Sequence, residues 1–192
     1  MHLLAKRISS FLVSKSFITQ QEHHIYSFCF EVLFAEIVFW SSIFIIAFIL
    51  GLIYPTILYL LGFCLFRSIA GGYHASTRFR CLALSISFYL LFILLFLYLS
   101  TSKNISFFFV IFAYCSFILF APIDHKNKPF TKEMYVNLKH KLFLAMFLFL
   151  GVCLILMHYS YTSMLFCLAF GCWQAGVAII MATYQKKKGG VA

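Results

Sequence analysis

The run Cys81-Leu-Ala-Leu-Ser-Ile-Ser-Phe-Tyr-Leu-Leu-Phe-Ile-Leu-Leu-Phe-Leu-Tyr-Leu99 contains no charged residue and is long enough to cross a bilayer as one helix. Five other apolar stretches can also span, or nearly span, a hydrocarbon core of about 30 Å. The six stretches cover residues 31–50, 52–68, 81–99, 105–123, 142–157 and 161–184. The sequence therefore predicts an all-α integral membrane protein with six transmembrane helices.

The composition supports a membrane protein of one domain. Of the 192 residues, 64% are hydrophobic and only 10% are charged, whereas about a quarter of the residues of a soluble domain are charged. We divide the predicted domain, residues 1–192, into an amino-terminal interfacial segment (1–28), a six-helix transmembrane core (29–184) and a tail (185–192). The net charge of +10 does not indicate a nucleic-acid partner, because the basic residues flank apolar runs, as topology signals do. The lipid bilayer is the first expected partner.

Residues 1–20 have the pattern of an amphipathic helix. Their large apolar residues recur at helical spacing with three basic residues between them, which suits a helix lying in the membrane surface. An ordinary cytosolic helix packed on the protein explains the pattern equally well. The apolar set comprises Leu3, Leu4, Ile8, Phe11, Leu12 and Phe17.

The distribution of Lys and Arg predicts the orientation of the spans. The amino-terminal segment, the loops at 67–80 and 124–141, and the tail carry 3, 3, 5 and 3 of these residues, whereas the alternating connectors carry only Lys103. Basic residues concentrate on the cytoplasmic side of membrane proteins. We therefore expect a multi-pass protein of the cell membrane, with both termini and both basic loops in the cytoplasm.

A polar, glycine-bearing segment, residues 67–81, separates the second and third spans. A thiolate is the reactive form of cysteine and a nearby imidazole is the usual means of generating it, so Cys81 and His74 form a candidate catalytic pair. In one straight helix the two would lie about 10.5 Å apart along the axis, too far for a hydrogen bond. The pair therefore requires a break, which Gly71-Gly72 can supply. The alternative is that Cys81 merely packs at the start of a span and His74 lies at a wet interface.

Two acidic residues in the first span are candidates to assist this pair. Glu31 should lie at the cytoplasmic end of the span, near the depth of His74 and Cys81, and could orient the imidazole as a third catalytic residue. Alternatively, Glu31 pairs with Arg67 or caps its own helix. Glu36 points about 140° away from Glu31 and lies about 7.5 Å deeper, which makes it the weaker candidate.

Two motifs resemble those of the AgrB family, membrane-embedded cysteine endopeptidases that process quorum-sensing propeptides. The first is Arg67-Ser-Ile-Ala-Gly-Gly-Tyr-His74 followed by Cys81, and the second is Ala121-Pro-Ile-Asp-His-Lys-Asn-Lys-Pro129. They occur in the order found in the family, about 50 residues apart, and the hydropathy layout extends the resemblance over nearly the whole chain.

The resemblance implies that Cys81 is the nucleophile and His74 its general base, with Arg67 and Gly72 supporting the site. It implies that the partner is a propeptide of the AgrD type, whose thiol or hydroxyl attacks an acyl-thioester and closes a thiolactone or lactone ring. Such a propeptide has an acidic carboxy-terminal part, which three basic residues of the second loop could bind: Lys126, Lys128 and Lys132.

We expect no metal ion or other cofactor. The seven cysteines include no Cys-x-x-Cys pair, so neither a disulfide framework nor a zinc ribbon is indicated.

The last span carries small residues suited to close helix packing, within one subunit or between two, and we expect a homodimer. The alternative function is a small transporter or sensor of an anionic ligand in which Cys81 is incidental. The sequence shows no inverted repeat, a feature that many transporter folds have.

Overall fold

A computed structural model describes residues 2–73, 78–124 and 130–188. In these ranges the chain forms seven helices and no strand: α1 (His2–Ser14), α2 (His23–Ile49), α3 (Ile53–Ala70), α4 (Arg78–Leu99), α5 (Lys103–Phe120), α6 (Lys132–His158) and α7 (Thr162–Lys188). Six of them, α2 to α7, are long and apolar enough to cross a membrane. The predicted all-α architecture with six spans is confirmed.

Two spans begin well before their apolar stretches, because eight or more residues that precede each stretch also form helix. α2 begins at His23 instead of residue 31, and α6 begins at Lys132 instead of residue 142. At the start of α6 the Thr131 hydroxyl oxygen accepts a hydrogen bond from the Met134 backbone N–H at 3.2 Å. Glu133 in the first turn complements the helix dipole.

Two helices end earlier than predicted. α5 ends at Phe120 instead of residue 123, because Pro122 disfavours a helical conformation at the residue before it. α1 ends at Ser14 instead of residue 20, and Ser16 then adopts a positive φ of 57°, which takes the chain out of the helix.

α1 packs against α2 and still exposes large apolar residues. Ala5 and Ser9 are buried, whereas Leu3 and Phe11 are exposed. Ser10 Oγ lies 3.1 Å from Nε2 of His23, a hydrogen bond that joins the two helices. Packing on the protein and an apolar face thus coexist in α1.

Glu22 organises the turn that leads into α2. Its carboxylate accepts hydrogen bonds from the backbone N–H and the hydroxyl of Thr19, each at 2.8 Å. These bonds hold the pKa of Glu22 below its usual range.

α7 lies at the centre of the bundle, between α3 and α5. About 61% of its apolar stretch is buried, the largest share of any span. A methyl group at Gly171 would overlap the carbonyl oxygen of Tyr59, and one at Gly176 would lie 3.0 Å from Cα of Ala113. The predicted small residues therefore permit close packing within the subunit.

Aromatic rings fill the core around α7. Phe66 packs between Phe117 and Phe149, with ring centroids 4.9 and 5.1 Å away. Tyr59 stacks on Phe92 at 4.5 Å, and all five rings are buried. This packing makes α3 a rigid support for the residues near its end.

At one end of the bundle, here called the loop end, the connections after α3 and α5 meet the end of α7. The Ile123 backbone N–H donates to the Ala70 carbonyl oxygen at 3.1 Å, and Lys186 forms an ion pair with Asp124 at 2.7 Å. At the opposite end, Lys103 donates to the Ser160 hydroxyl at 3.2 Å. The described parts of both basic loops therefore lie at the loop end.

Candidate functional site

A cleft of about 410 Å³ opens between α2, α3, α4 and α7 near the loop end. Much of its lining is apolar and aromatic, from side chains that include Phe39, Trp40, Phe63 and Phe88. Polar side chains from each of the four helices share this surface: Glu36, Arg67, Cys81, Ser85 and Gln174.

Cys81 is the fourth residue of α4, and its side chain is exposed. The first turn of a helix carries backbone N–H groups without intrahelical partners and the positive end of the helix dipole. Arg67 lines the same cleft. The thiol thus lies at the positive end of a helix and shares its cleft with a cation.

The connection after α3 is held in place on two sides. The Tyr73 backbone N–H donates to the Ala178 carbonyl oxygen of α7 at 3.0 Å, and the Tyr73 carbonyl oxygen accepts from the Arg67 guanidinium at 3.3 Å. Gly71 has φ +80° and Gly72 has φ +151°, conformations that residues with side chains rarely adopt. A methyl group at Gly72 would lie 3.1 Å from Nε of Arg67. Glycine therefore lets the chain turn tightly against Arg67.

The predicted break in the helix before Cys81 is confirmed in the residues that can be described. α3 ends at Ala70, residues 71–73 are not helical, and α4 begins at Arg78. Three of the predicted site residues lie in the loops and outside the described residues: His74, Lys126 and Lys128.

The two acids of α2 differ in their relation to the cleft. Glu36 lines it together with Cys81. Glu31 is half-buried nearer the start of α2 and is not among the described residues that line the cleft. Of the two, Glu36 is the one that shares the lining of the cleft with Cys81.

A buried hydrogen bond joins α3 to α7 on the wall of the cleft. The Tyr59 hydroxyl donates to the side-chain oxygen of Gln174. Both residues line the cleft, and Gln174 is only 5% exposed. An amide in mid-span needs a hydrogen-bond partner, and Tyr59 provides it.

Lys132 begins α6 and is exposed at the loop end. It shares a second pocket, of about 540 Å³, with Asp124 and Lys186. The hydrogen bond from Lys186 holds the pKa of Asp124 below its usual range. This ion pair ties the described part of the second basic loop to the end of α7.

Within the described part of the chain, no three His, Cys, Asp or Glu side chains are grouped to hold a metal ion. A family model described as Accessory gene regulator B matches residues 5–181.

The chain belongs to the AgrB family.

The match runs from α1 into α7, so the AgrB family is confirmed over all six spans and both loops that carry the motifs. It identifies the chain as a membrane protein of the accessory gene regulator system. No curated protein and no solved structure matches the chain.

Sequence reasoning missed one residue of this AgrB-family cleft and ranked another low. Tyr59 lies in an apolar stretch without any motif, and only the need of Gln174 for a partner could have pointed to it. Glu36 ranked below Glu31 because it lies deeper in α2 and points away from Glu31, whereas the sequence does not show how α2 faces α4 across the cleft.

Proposed function

We propose that this protein is a membrane-embedded cysteine endopeptidase that cleaves a propeptide of the AgrD type through an acyl-thioester on Cys81. The observation that carries the proposal is the position of Cys81. In a chain of the AgrB family, this exposed thiol begins a helix and faces a cleft together with Arg67.

In the first step, Cys81 attacks the carbonyl carbon of the scissile peptide bond. His74 takes the thiol proton as general base, and the positive end of α4 and Arg67 favour the resulting thiolate. Backbone N–H groups at the start of α4 supply hydrogen bonds to the tetrahedral oxyanion. The carbon–nitrogen bond then breaks, His74 returns the proton to the leaving amine, and an acyl-thioester remains on Cys81.

In the second step, a thiol or hydroxyl of the acyl segment attacks the thioester carbonyl. It gives its proton to His74 and expels the Cys81 thiolate, which closes a thiolactone or lactone ring. Water would yield a linear acid instead. The aromatic lining of the cleft, Phe39, Trp40 and Phe88, disfavours water near the thioester and so favours ring closure.

Substrate binding draws on both loops. Arg67, packed beside Gly72 and bonded to the Tyr73 carbonyl oxygen, presents a cation to the peptide from the wall of the cleft. Three lysines of the second loop attract the acidic part of the propeptide: Lys126, Lys128 and Lys132.

Of the two acids in α2, Glu36 is favoured as the residue that assists His74, because it shares the cleft with Cys81. Glu31 stays a candidate on the ground of its predicted depth. A carboxylate hydrogen-bonded to the imidazole would fix its orientation and stabilise the imidazolium.

The orientation of the protein follows from its basic residues. The loop end carries the described basic residues of both loops and of the tail, so we place it, the active site and both termini in the cytoplasm. We further propose a homodimer in the cell membrane.

The test uses purified protein in proteoliposomes and a propeptide of the AgrD type, with products identified by mass spectrometry. Cys81→Ser and His74→Ala should abolish cleavage, and hydroxylamine should release an acyl group from wild-type Cys81. Cys115→Ser is the matched control, because Cys115 is exposed on α5 and does not line the cleft. Full processing by Cys81→Ala would refute the role of Cys81 as nucleophile, whereas no processing by the wild-type protein would favour a transporter or sensor.

A further inference from the structure

We infer that Gln174, held by Tyr59, anchors the main chain of the substrate by donating a hydrogen bond from its side-chain amide to a backbone carbonyl oxygen of the peptide. This inference rests on the proposed function, since it assumes that a peptide occupies the cleft beside Cys81.

The amide of Gln174 is fixed in its orientation. Its oxygen accepts a hydrogen bond from the Tyr59 hydroxyl. Tyr59 is itself confined, because its ring is buried and stacks on Phe92 with planes only 13° apart. A side-chain amide has two N–H donors on its nitrogen. Because the amide oxygen is bonded to Tyr59 in the core, the amide nitrogen is the atom that can donate to a ligand in the cleft.

Gln174 also has the right position along the bundle. Ala178, one turn further along α7, accepts the hydrogen bond from Tyr73 in the connection after α3. Gln174 therefore lies about 6 Å deeper than this connection. A peptide with its scissile bond at Cys81 would pass Gln174 if it extended into the cleft.

A neutral donor at this place suits a neutral carbonyl oxygen. A peptide that enters an apolar cleft within a membrane protein loses water, so its main-chain polar groups need partners in the protein. An anionic group would be attracted to Arg67 on the same cleft instead. We therefore assign Gln174 to the main chain of the substrate and not to an acidic side chain.

The experiment compares two alkylating reagents on the full-length protein in proteoliposomes. Iodoacetamide is small, whereas acetyl-Ala-Ala-Phe chloromethyl ketone carries several main-chain carbonyls. In each case the Cys81 sulfur displaces the halide and forms a thioether, and mass spectrometry of the digested protein gives the rate at Cys81 alone. Gln174→Met should lower the rate with the peptide reagent about tenfold, which matches one unsatisfied buried polar group. The rate with iodoacetamide should change less than about twofold, since that reagent does not reach Gln174.

Tyr59→Phe tests the positioning role. It removes the bond that orients the amide but leaves the ring in place, so it should give a smaller selective loss than Gln174→Met. Tyr89→Phe is the matched control, because its hydroxyl makes an equally buried hydrogen bond to Thr56 at 2.8 Å and does not line the cleft. It should leave the ratio of the two rates unchanged.

A set of peptide reagents with each main-chain carbonyl in turn replaced by methylene completes the test. One of them should react equally fast with wild type and Gln174→Met, because the carbonyl that Gln174 binds is missing. A parallel loss with both alkylating reagents would overturn the inference, as would no loss with either. If wild-type Cys81 reacts no faster than Cys115 with the peptide reagent, the proposed function itself fails and this inference with it.

Discussion

Replacing Gly71 by alanine should release the connection after α3 from its neighbours and lower processing at Cys81. Gly71 has φ +80° and ψ −156°, a region of backbone conformation that is nearly restricted to glycine. The added methyl carbon would lie 2.6 Å from the carbonyl oxygen of Ile123. The backbone at Gly71 or at Ile123 must therefore move, and this movement disrupts the neighbouring hydrogen bond from the Ile123 N–H to the Ala70 carbonyl oxygen.

The size of the effect follows from these two contributions. A residue with a side chain in this backbone region costs about 1–3 kcal/mol, and loss of the hydrogen bond adds about 1 kcal/mol. A total of about 2–4 kcal/mol shifts the balance between the bound and released connection by about 30-fold to several hundred-fold. We expect processing to fall at least about tenfold at matched membrane levels. The fall is smaller than the shift in the equilibrium, because activity declines only once the bound connection is no longer the major form.

The assay is cleavage of the propeptide in proteoliposomes, together with the rate of Cys81 alkylation. Two glycine variants separate strain from local contact. Gly51→Ala introduces a methyl group at φ +67° with no atom within 4 Å, so it adds backbone strain without a clash. Gly151→Ala introduces a methyl group inside α6, also with no atom within 4 Å. Both should keep nearly full activity. Wild-type processing and alkylation by Gly71→Ala would refute the reasoning.

Three further predictions concern charged residues. Glu36→Gln should slow processing more than Glu31→Gln does, because Glu36 lines the cleft; a larger loss in Glu31→Gln would favour the depth argument instead. The second loop is neutralised by replacing Lys126, Lys128 and Lys132. This change should raise the half-saturating propeptide concentration more than it lowers the maximal rate, and added salt should shrink the difference between variant and wild type. A changed maximal rate alone would contradict this. The Asp124–Lys186 pair should stabilise the protein above the ordinary pKa of aspartate and lose this contribution as the pH falls through the lowered pKa of Asp124. Asp124→Asn should therefore lower the melting temperature more at pH 7 than at pH 3, with a cost below about 1 kcal/mol because both groups are partly exposed.

The sequence was sufficient to predict the spans, because a hydrocarbon core imposes length and apolarity on each helix. It was less informative about helix ends. Polar first turns such as that of α6 continue a helix beyond its apolar stretch, and only hydrogen bonds like the one between Thr131 and Met134 show where it begins.

The candidate site was predictable where it depends on residue type and spacing. Cys81 and the glycines before it were found because thiol chemistry and a chain break both leave local signals in the sequence. The pairing of Tyr59 with Gln174 and the place of Glu36 in the cleft depend on how α2, α3 and α7 are rotated against each other. In a helix that is apolar on nearly all sides, hydrophobic periodicity does not reveal that rotation.

The central place of α7 has a consequence for how the protein is made. α7 emerges from the ribosome after the other five spans, yet it provides the packing surface for α3 and α5 and the carbonyl that binds Tyr73. Until it inserts, the groove of Gly171 that receives α3 does not exist, and neither does the wall of the cleft that contains Gln174. A nascent chain paused before this helix would therefore carry Cys81 without a formed cleft, so the proposed proteolytic activity would arise only when membrane insertion of α7 is complete.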